Sequence, residues 1–349
     1  MGTAMKKTAG LLALLGLLFL AETFLRGYYL RLVILFGVTS IVALGVTVIN
    51  GYTNILSLGF GGPMMVAGYA SVLLTLSPAY KGAVLHLPLW LEQARVSFPV
   101  AMLCGGILAM FASVILLLSA FRLRGHSFVL ASMGVTIVTG NLAENLGSLT
   151  HGDMGLRSIP AFTNIWWTYG LLVAVIYCIR RFMESKYGRA LAVISRDREL
   201  AGVMGIDIAR YKVLSFAIGG FITGIGAVLW VHLVLTMNPK AFGLEYVFQI
   251  VAMLAIGGTG TISGALVGAG ILTFGAELLA PVQEGFMILG VRIPPACGLV
   301  NVLMAVLLVL VMIYKPRGIM NGREIWEIAG SGRKKRRISK VPESEKRTF

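Results

Sequence analysis

Long apolar runs alternate with short polar stretches along almost the whole chain. A helix needs about 20 apolar residues to cross a hydrocarbon layer. On that measure the pattern predicts spans over 8–25, 32–49, 54–77, 98–121, 128–147, 165–182, 213–236, 246–257, 261–280 and 296–314. The eighth run is short. The third is interrupted by Gly59, Gly61, Gly62 and Pro63, and interrupted backbone at membrane depth survives only when it is buried in protein or lines a cavity. The expected fold class is therefore an all-α polytopic membrane protein of about ten transmembrane helices. It contains a broken helix and a glycine-rich helical hairpin over 246–280 that turns at Gly257–Thr261. Residues 1–320 read as one membrane domain with a polar insertion at 183–212, followed by a basic tail at 321–349.

Composition narrows the class. Of 349 residues, 57% are hydrophobic and 13% are charged. A soluble core cannot hide that much apolar surface, which excludes a water-soluble enzyme, a secreted disulfide scaffold and a disordered chain. The net charge of +15 would suit nucleic acid only if the basic residues formed a solvated face. Instead they sit between apolar runs. With a cytoplasmic N-terminus and ten spans, 23 Lys and Arg fall inside and 7 outside, the asymmetry expected of cytoplasmic loops. Both termini are then cytoplasmic, and the RKKRR run at 333–337 reads as a solvated tail or an anchor to anionic lipid, with no nucleic acid involved. Lys6 and Lys7 before Leu11–Leu20 resemble a secretory signal, but no small-x-small cleavage site follows, and a retained first span is preferred. Cys104, Cys178 and Cys297 show no metal or disulfide spacing and read as small buried hydrophobes.

Catalytic constellations are poor. His86, His126, His151 and His232 are scattered, with no H-E-x-x-H pair, and there is no G-x-x-x-x-G-K-[ST] loop to cradle ATP. Gly257-Gly258-Thr259-Gly260-Thr261 lacks the lysine of a phosphate loop. Ser263 and His232 match an intramembrane protease pair by residue type alone. Glycine spacing says more. Gly260, Gly264 and Gly268 repeat every four residues, as do Gly220 and Gly224, a spacing that lets helix backbones approach closely in lipid.

The insertion ESKYGRALAVISRDRELAGVMGIDIARYK is charged, with helical character around 189–204. Glu199, Ala201 and Gly205 fit E-x-A-x-x-x-G. Such a helix, ended by a glycine turn, suits docking in a partner's groove; a solvated amphipathic loop helix fits the residue types equally well. Asn141, Glu144 and Asn145 share one helical face near the outer end of the fifth span, and Glu277 lies near the outer end of the ninth. They are places where a substrate ammonium could be met or where helices could hydrogen-bond at the interface. The broken third span with Gly61, Gly62 and Pro63 could offer backbone groups to a passing solute or be a proline kink.

The stretch from YGRALAV through SFAIGGFITGIGAVL resembles the permease subunits of branched-chain amino-acid ABC importers, of the LivM type. NGYTNILSLG (50–59), LTHGDMGLRSIP (149–160), AIGGTGTISGALVGAGILTFGAELL (255–279) and YKPRGIM (314–320) are similar to further family segments, in order. The resemblance implies a bacterial or archaeal inner-membrane subunit that pairs with a second permease subunit. It further implies two cytoplasmic ATPase subunits that hold ATP and Mg, and a periplasmic or lipid-anchored solute-binding protein. No cofactor is implied on this chain, which is then a transporter subunit and not an enzyme. It also makes Arg196–Gly205 the helix that couples to an ATPase, with Arg189, Asp197, Glu199, Ala201 and Gly205 carrying that role. Three positions depart from the pattern. Phe60, Gly61, Gly62 and Pro63 follow LSLG where the family has a histidine and small residues, His151 stands at a glycine-like position, and Leu200 replaces an alanine. They leave the solute open between branched-chain amino acids and urea or short amides. A stand-alone secondary transporter or channel is the competing reading.

Overall fold

The computed structural model describes residues 27–85, 88, 92–120, 123, 125–284, 287–288, 291–292, 299–315, 318–320 and 324. The predicted span 8–25, His86, Cys297 and the tail from 325 onward lie outside them. The helices are α1 (Tyr28–Val46), α2 (Gly61–Thr75), α3 (Pro78–Val84), α4 (Phe98–Ala120), α5 (His126–Asn145), α6 (Ile165–Glu184), α7 (Lys186–Arg196), α8 (Arg198–Val203), α9 (Ile208–Val234), α10 (Leu244–Gly257), α11 (Ile262–Glu284) and α12 (Leu299–Tyr314). A π-turn at Thr47–Gly51 prolongs α1. Two two-residue strands, Met287–Ile288 and Val291–Arg292, pair antiparallel.

A helix lies over each apolar run from 32–49 onward, but the helices differ in reach. Among the described residues six helices are long and apolar enough to cross a membrane: Tyr28–Gly51, Phe98–Ser119, His126–Asn145, Ile165–Glu184, Ile208–Val234 and Ile262–Leu279. α2 has 15 residues and α10 has 14. At 1.5 Å per residue each is roughly 20 Å long, short of the ~30 Å hydrocarbon layer. α9 starts at Ile208, five residues before the apolar run does, because Asp207 caps it. The Asp207 carboxylate accepts the amides of Ala209 and Arg210 at 3.1 and 3.3 Å, so a charged first turn is built ahead of the apolar stretch.

α9 is the central helix, and small residues along it set its distance to two neighbours. Gly220 and Gly224 face Ser113, Ala109 and Gly106 of α4, whereas Gly219 lies over Gly45 and Ile49 of α1 and Gly226 over Val42. A Cβ on Gly219 would stand 2.8 Å from the Gly45 carbonyl oxygen, so the two backbones meet with no side chain between them, as small-residue helix pairs do in lipid. On its other side α4 exposes Leu103, Ile107, Phe111, Ile115 and Leu118. Cys178 on α6 is exposed as well, which corrects the expectation that the cysteines are buried; a lipid-facing helix surface accepts a small apolar side chain as readily as a core does.

The hairpin α10–α11 is packed more tightly still. A Cβ on Gly268 would collide with the Met253 carbonyl, and one on Gly257 with the Gly264 carbonyl. Gly260 is no part of this stripe. It precedes α11, has φ +82°, and sits against Gly51; its four-residue spacing to Gly264 is incidental to a turn that needs the left-handed region. The chain after α12 returns to this turn. Ile319 and Met320 donate their amides to Ile256 and Gly257 at 2.9 and 3.1 Å, and the Glu324 carboxylate accepts the amides of Ile262 and Ser263 at 2.8 and 3.0 Å. A carboxylate there satisfies two of the orphan donors of α11 and lies at the positive end of its dipole. At the opposite end, Leu156 and Met237 exchange backbone hydrogen bonds at 2.7 and 2.9 Å, joining the 147–164 loop to the 235–243 connection. His151 there has φ +61°, the conformation its glycine-like position called for.

We expect Gly268→Ala to destabilise the purified protein by about 1–3 kcal/mol through overpacking. Gly134→Ala on α5, where a new Cβ meets nothing within 4 Å, should be neutral or raise stability by up to about 1 kcal/mol. Thermal aggregation midpoints in one detergent compare the two.

Candidate functional site

Between the end of α1 and the start of α2 the chain runs without helix from Tyr52 to Phe60. Most of this segment is buried, so its amides and carbonyls need partners inside the protein. Side chains supply them. Asn50 acts like a paired strand: its amide nitrogen donates to the Ser57 carbonyl at 3.1 Å and its oxygen accepts the Ser57 amide at 3.0 Å. Two residues one turn apart on α5 hold the next peptide. The Ser132 hydroxyl accepts the Leu58 amide at 3.0 Å, and the Thr136 hydroxyl donates to the Leu58 carbonyl at 2.9 Å. The Ser57 hydroxyl accepts the Gly59 amide at 3.3 Å.

The break is thus displaced from its expected place. Gly61, Gly62 and Pro63 form the first turn of α2. Proline is tolerated there because the first amides of a helix have no intrahelical acceptor. Gly61 and Gly62 are contact points: a Cβ on Gly61 would stand 2.5 Å from the Phe242 carbonyl, and one on Gly62 2.8 Å from the Thr139 hydroxyl. None of the three is among the residues that wall the neighbouring cavity, but Met65 is.

That cavity is a cleft of about 300 Å³ between α2, α5 and the 239–245 stretch, walled by Met65, Thr136, Asn141, Glu144, Lys240 and Glu245 among others. The 147–164 loop meets it through Asp153, which pairs with Lys240. Asn141 and Glu144 share it as the helical spacing predicted. Asn145 is turned away, donating to the Asn141 carbonyl at 2.8 Å, and Glu277 lies on α11, outside the cleft. Lys240 pairs with Asp153 at 2.9 Å, both exposed. The hydrogen bond to Asp153, and then the charges of Asp153 and Glu144, raise the Lys240 pKa above its ordinary 10.5. The ammonium therefore stays charged through neutral pH, and on the alkaline side whatever the pair contributes is lost as pH climbs through that raised value.

At the other end of the molecule the polar insertion forms two helices and not one. Ser185 caps α7, accepting the Tyr187 amide at 3.2 Å. Asp197 ends α7 and caps α8, accepting the amides of Glu199 and Leu200 at 2.9 and 3.1 Å. An N-capping Asp has β-region dihedrals, here φ −150° and ψ 114°, and this breaks the continuous helix that residue types suggested. Gly205, at φ +73°, closes α8: the Ile206 amide returns to the Ala201 carbonyl and the Gly205 amide to Gly202, both at 3.0 Å. Ala201 is fully buried beneath α8, while Leu200, Val203 and Met204 are 52, 87 and 62% exposed. Glu199 is exposed beside them. Arg189 points elsewhere, its guanidinium donating to the Glu184 carbonyl at 2.9 Å and capping α6.

The protease pairing fails on geometry. Ser263 binds Glu324 at the start of α11. His232 is buried near the far end of α9, bound to Thr75 at 3.0 Å and to the Val228 carbonyl at 2.8 Å. Among the described residues no group of three His, Cys, Asp or Glu is placed to hold a metal.

The model of the family described as branched-chain amino acid transport system / permease component matches residues 28–313. The chain belongs to this permease family. Similar relatives include the high-affinity branched-chain amino acid transport system permease protein LivM of Escherichia coli (strain K12), 23% identical over 314 residues, covering 80% of this chain and 67% of the relative. BraD of Pseudomonas aeruginosa, under the same description, is 23% identical over 322 residues, 83% of this chain and 93% of its own. The ribose import permease protein RbsC of Haemophilus influenzae is 25% identical over 209 residues, 54% and 60% of the two chains. As a permease, the chain owes its NGYTNILSLG segment a structural reason: Asn50 and Ser57 are the two ends of the side-chain bridge that stabilises the break. Sequence reasoning quoted both residues and missed the bridge. It also missed Ser132 and Thr136, whose four-residue spacing on α5 was a legible signal, and Gly188, which packs against the Met183 backbone where α6 turns into α7.

Asn50→Leu should cost about 1–3 kcal/mol for each Ser57 group left unpaired. Asp153→Asn, which breaks an exposed pair, should change stability by less than about 0.5 kcal/mol. Both are read from urea or thermal unfolding of the solubilised permease.

Proposed function

We propose that this chain is the membrane-spanning permease subunit of an ATP-binding cassette importer that carries a branched-chain amino acid into a bacterial or archaeal cell across its inner membrane. It crosses the membrane about ten times and has both termini in the cytoplasm. Its partners are a second permease subunit, two cytoplasmic ATPase subunits and a periplasmic or lipid-anchored solute-binding protein. ATP and Mg belong to the ATPases, and this chain binds no cofactor and performs no reaction on the solute.

The observation that carries this reading is the tip of α8. Leu200, Val203 and Met204 project from a short helix held at both ends by Asp197 and Gly205, on a polar loop rich in Lys and Arg. Three neighbouring apolar side chains on a capped, polar element suit burial in a groove of a partner. Positive charge on the same loop favours the cytoplasmic side, where an ATPase would be. Asp197 and Gly205 fix the tip, Ala201 seats it on the bundle, and Glu199 flanks it; Arg189 acts through the α6–α7 turn. The outer cleft, with Asn141 and Glu144 beside Thr136 and Met65, is one wall of the solute path, whose other wall belongs to the second permease subunit. A carboxylate and an amide there suit the ammonium of an amino acid.

The test is a double variant, Leu200→Asp with Val203→Asp, in a co-expressed complex. Burial of each side chain contributes roughly 1.5–3 kcal/mol, so ATPase association should weaken by more than about tenfold while the permease pair stays folded. Undiminished co-purification and ATP-driven leucine uptake would contradict the docking surface. Uptake of leucine by the lone chain in liposomes, driven by an ion gradient, would favour a secondary transporter. Uptake of urea and not of leucine by the complex would move the solute to the amide class.

A further inference from the structure

α7 ends against the broken segment, and one side chain joins them. The Asn54 amide nitrogen donates to the Ser195 carbonyl at 3.1 Å, across 141 positions of sequence. Ser195 is in the last turn of α7, where carbonyls have no intrahelical donor, so Asn54 serves as a cap supplied from outside the helix. Asn54 has φ +50°, a left-handed conformation that asparagine tolerates better than most residues. It directs the side chain to α7 while the chain turns back into the bundle. From there the chain runs without helix to Leu58, whose carbonyl accepts the Thr136 hydroxyl. Thr136 also lines the outer cleft. The sequence of contacts Ser195, Asn54, Leu58, Thr136 therefore runs from the α7–α8 pair to the wall of the cleft through two side-chain hydrogen bonds and one short non-helical stretch.

We propose that Asn54 is a positioning residue that transmits displacement of the α7–α8 pair to the broken segment and so to the cleft. The proposal rests on the reading of α8 as the ATPase-docking tip. The segment suits the task, because Asn50, Ser132 and Thr136 fix its far end to the end of α1 and to α5 within a few residues of Asn54. α7 itself moves as one piece: Ala190, Leu191 and Ile194 are buried under it, and Gly188 and Arg189 bind it to the end of α6. The Asn54 bond is a single hydrogen bond at the surface, so its loss should leave the protein folded. Its effect lies in which two elements it connects.

The experiment uses the whole importer complex in proteoliposomes, with Cys104, Cys178 and Cys297 changed to serine and Ile137→Cys, which also lines the cleft and is exposed, as a reporter. The rate at which an impermeant maleimide labels position 137 is compared between the nucleotide-free and the vanadate-trapped complex. Asn54→Asp keeps the size and the left-handed turn but removes the donor; Asn54→Gly keeps the turn and removes the side chain. In both variants we expect ATPase subunits to co-purify as in the parent and the nucleotide-dependent change in labelling to shrink by about threefold to tenfold, the effect of one lost hydrogen bond. A full nucleotide-dependent change in both variants would overturn the proposal and leave the docking reading standing. Loss of the ATPases from either variant would also overturn it, since Asn54 would then act in assembly. If the parent complex itself responds to no nucleotide, the docking reading falls, and the relay with it.

Discussion

A peptide bond inside a lipid-embedded bundle has no water to fall back on, and the non-helical chain from Tyr52 to Phe60 meets that constraint in side chains. An unsatisfied amide or carbonyl in such a place costs several kcal/mol. Asn50 closes both groups of Ser57, and Ser132 and Thr136 close both groups of Leu58. The alternative, a helix continuing from α1 into α2, would put Pro63 in a helix interior, at about 3 kcal/mol or more. Breaking the helix earlier moves that proline into a first turn, where its missing N–H is no loss. The break also shortens α2 to 15 residues and brings its start, at Gly61, against α5 and the Phe242 carbonyl, and the cleft forms along these elements.

Around this segment the bundle is held by close backbone contact. Gly219 with Gly45 and Gly224 with Gly106 draw α1, α9 and α4 together, and Gly268 and Gly257 join α10 to α11. Apolar burial drives little association in lipid, so packing of small residues takes its place. The end that holds the α10–α11 turn is closed by the returning chain at Gly318–Met320 and by Glu324 on the first turn of α11. Glu324 falls in what composition marked as a polar tail, yet it caps a membrane helix. The permease domain therefore uses residues beyond its last apolar run.

How much of this was legible in the sequence differs by element. Long apolar runs place helices well, because hydropathy over about 20 residues is a large signal. Short-range features fail where one residue has two uses. Gly61, Gly62 and Pro63 read as breakers and are helix starters. Gly260 reads as part of a packing stripe and makes a turn. Asp197 reads as part of one charged helix and divides two. Arg189 reads as a contact for a partner and caps α6. The exposed tip at Leu200, Val203 and Met204 could not be seen from residue type at all, since exposure there depends on how α8 lies over Ala201. The cleft was half visible, in the spacing of Asn141 and Glu144; Lys240 and Glu245 reach it from the connection before α10 and from its first turn, which no periodicity brings near α5.

The most direct measurement of the account is amide hydrogen exchange at Leu58 in the solubilised permease, compared with Ser132→Ala. Leu58 should exchange slowly in the parent and much faster in the variant, while Met64, bonded within the first turn of α2, keeps its rate. An equal Leu58 rate in both proteins would mean that the Ser132 hydroxyl does not hold that amide, and the explanation of the broken helix would fail.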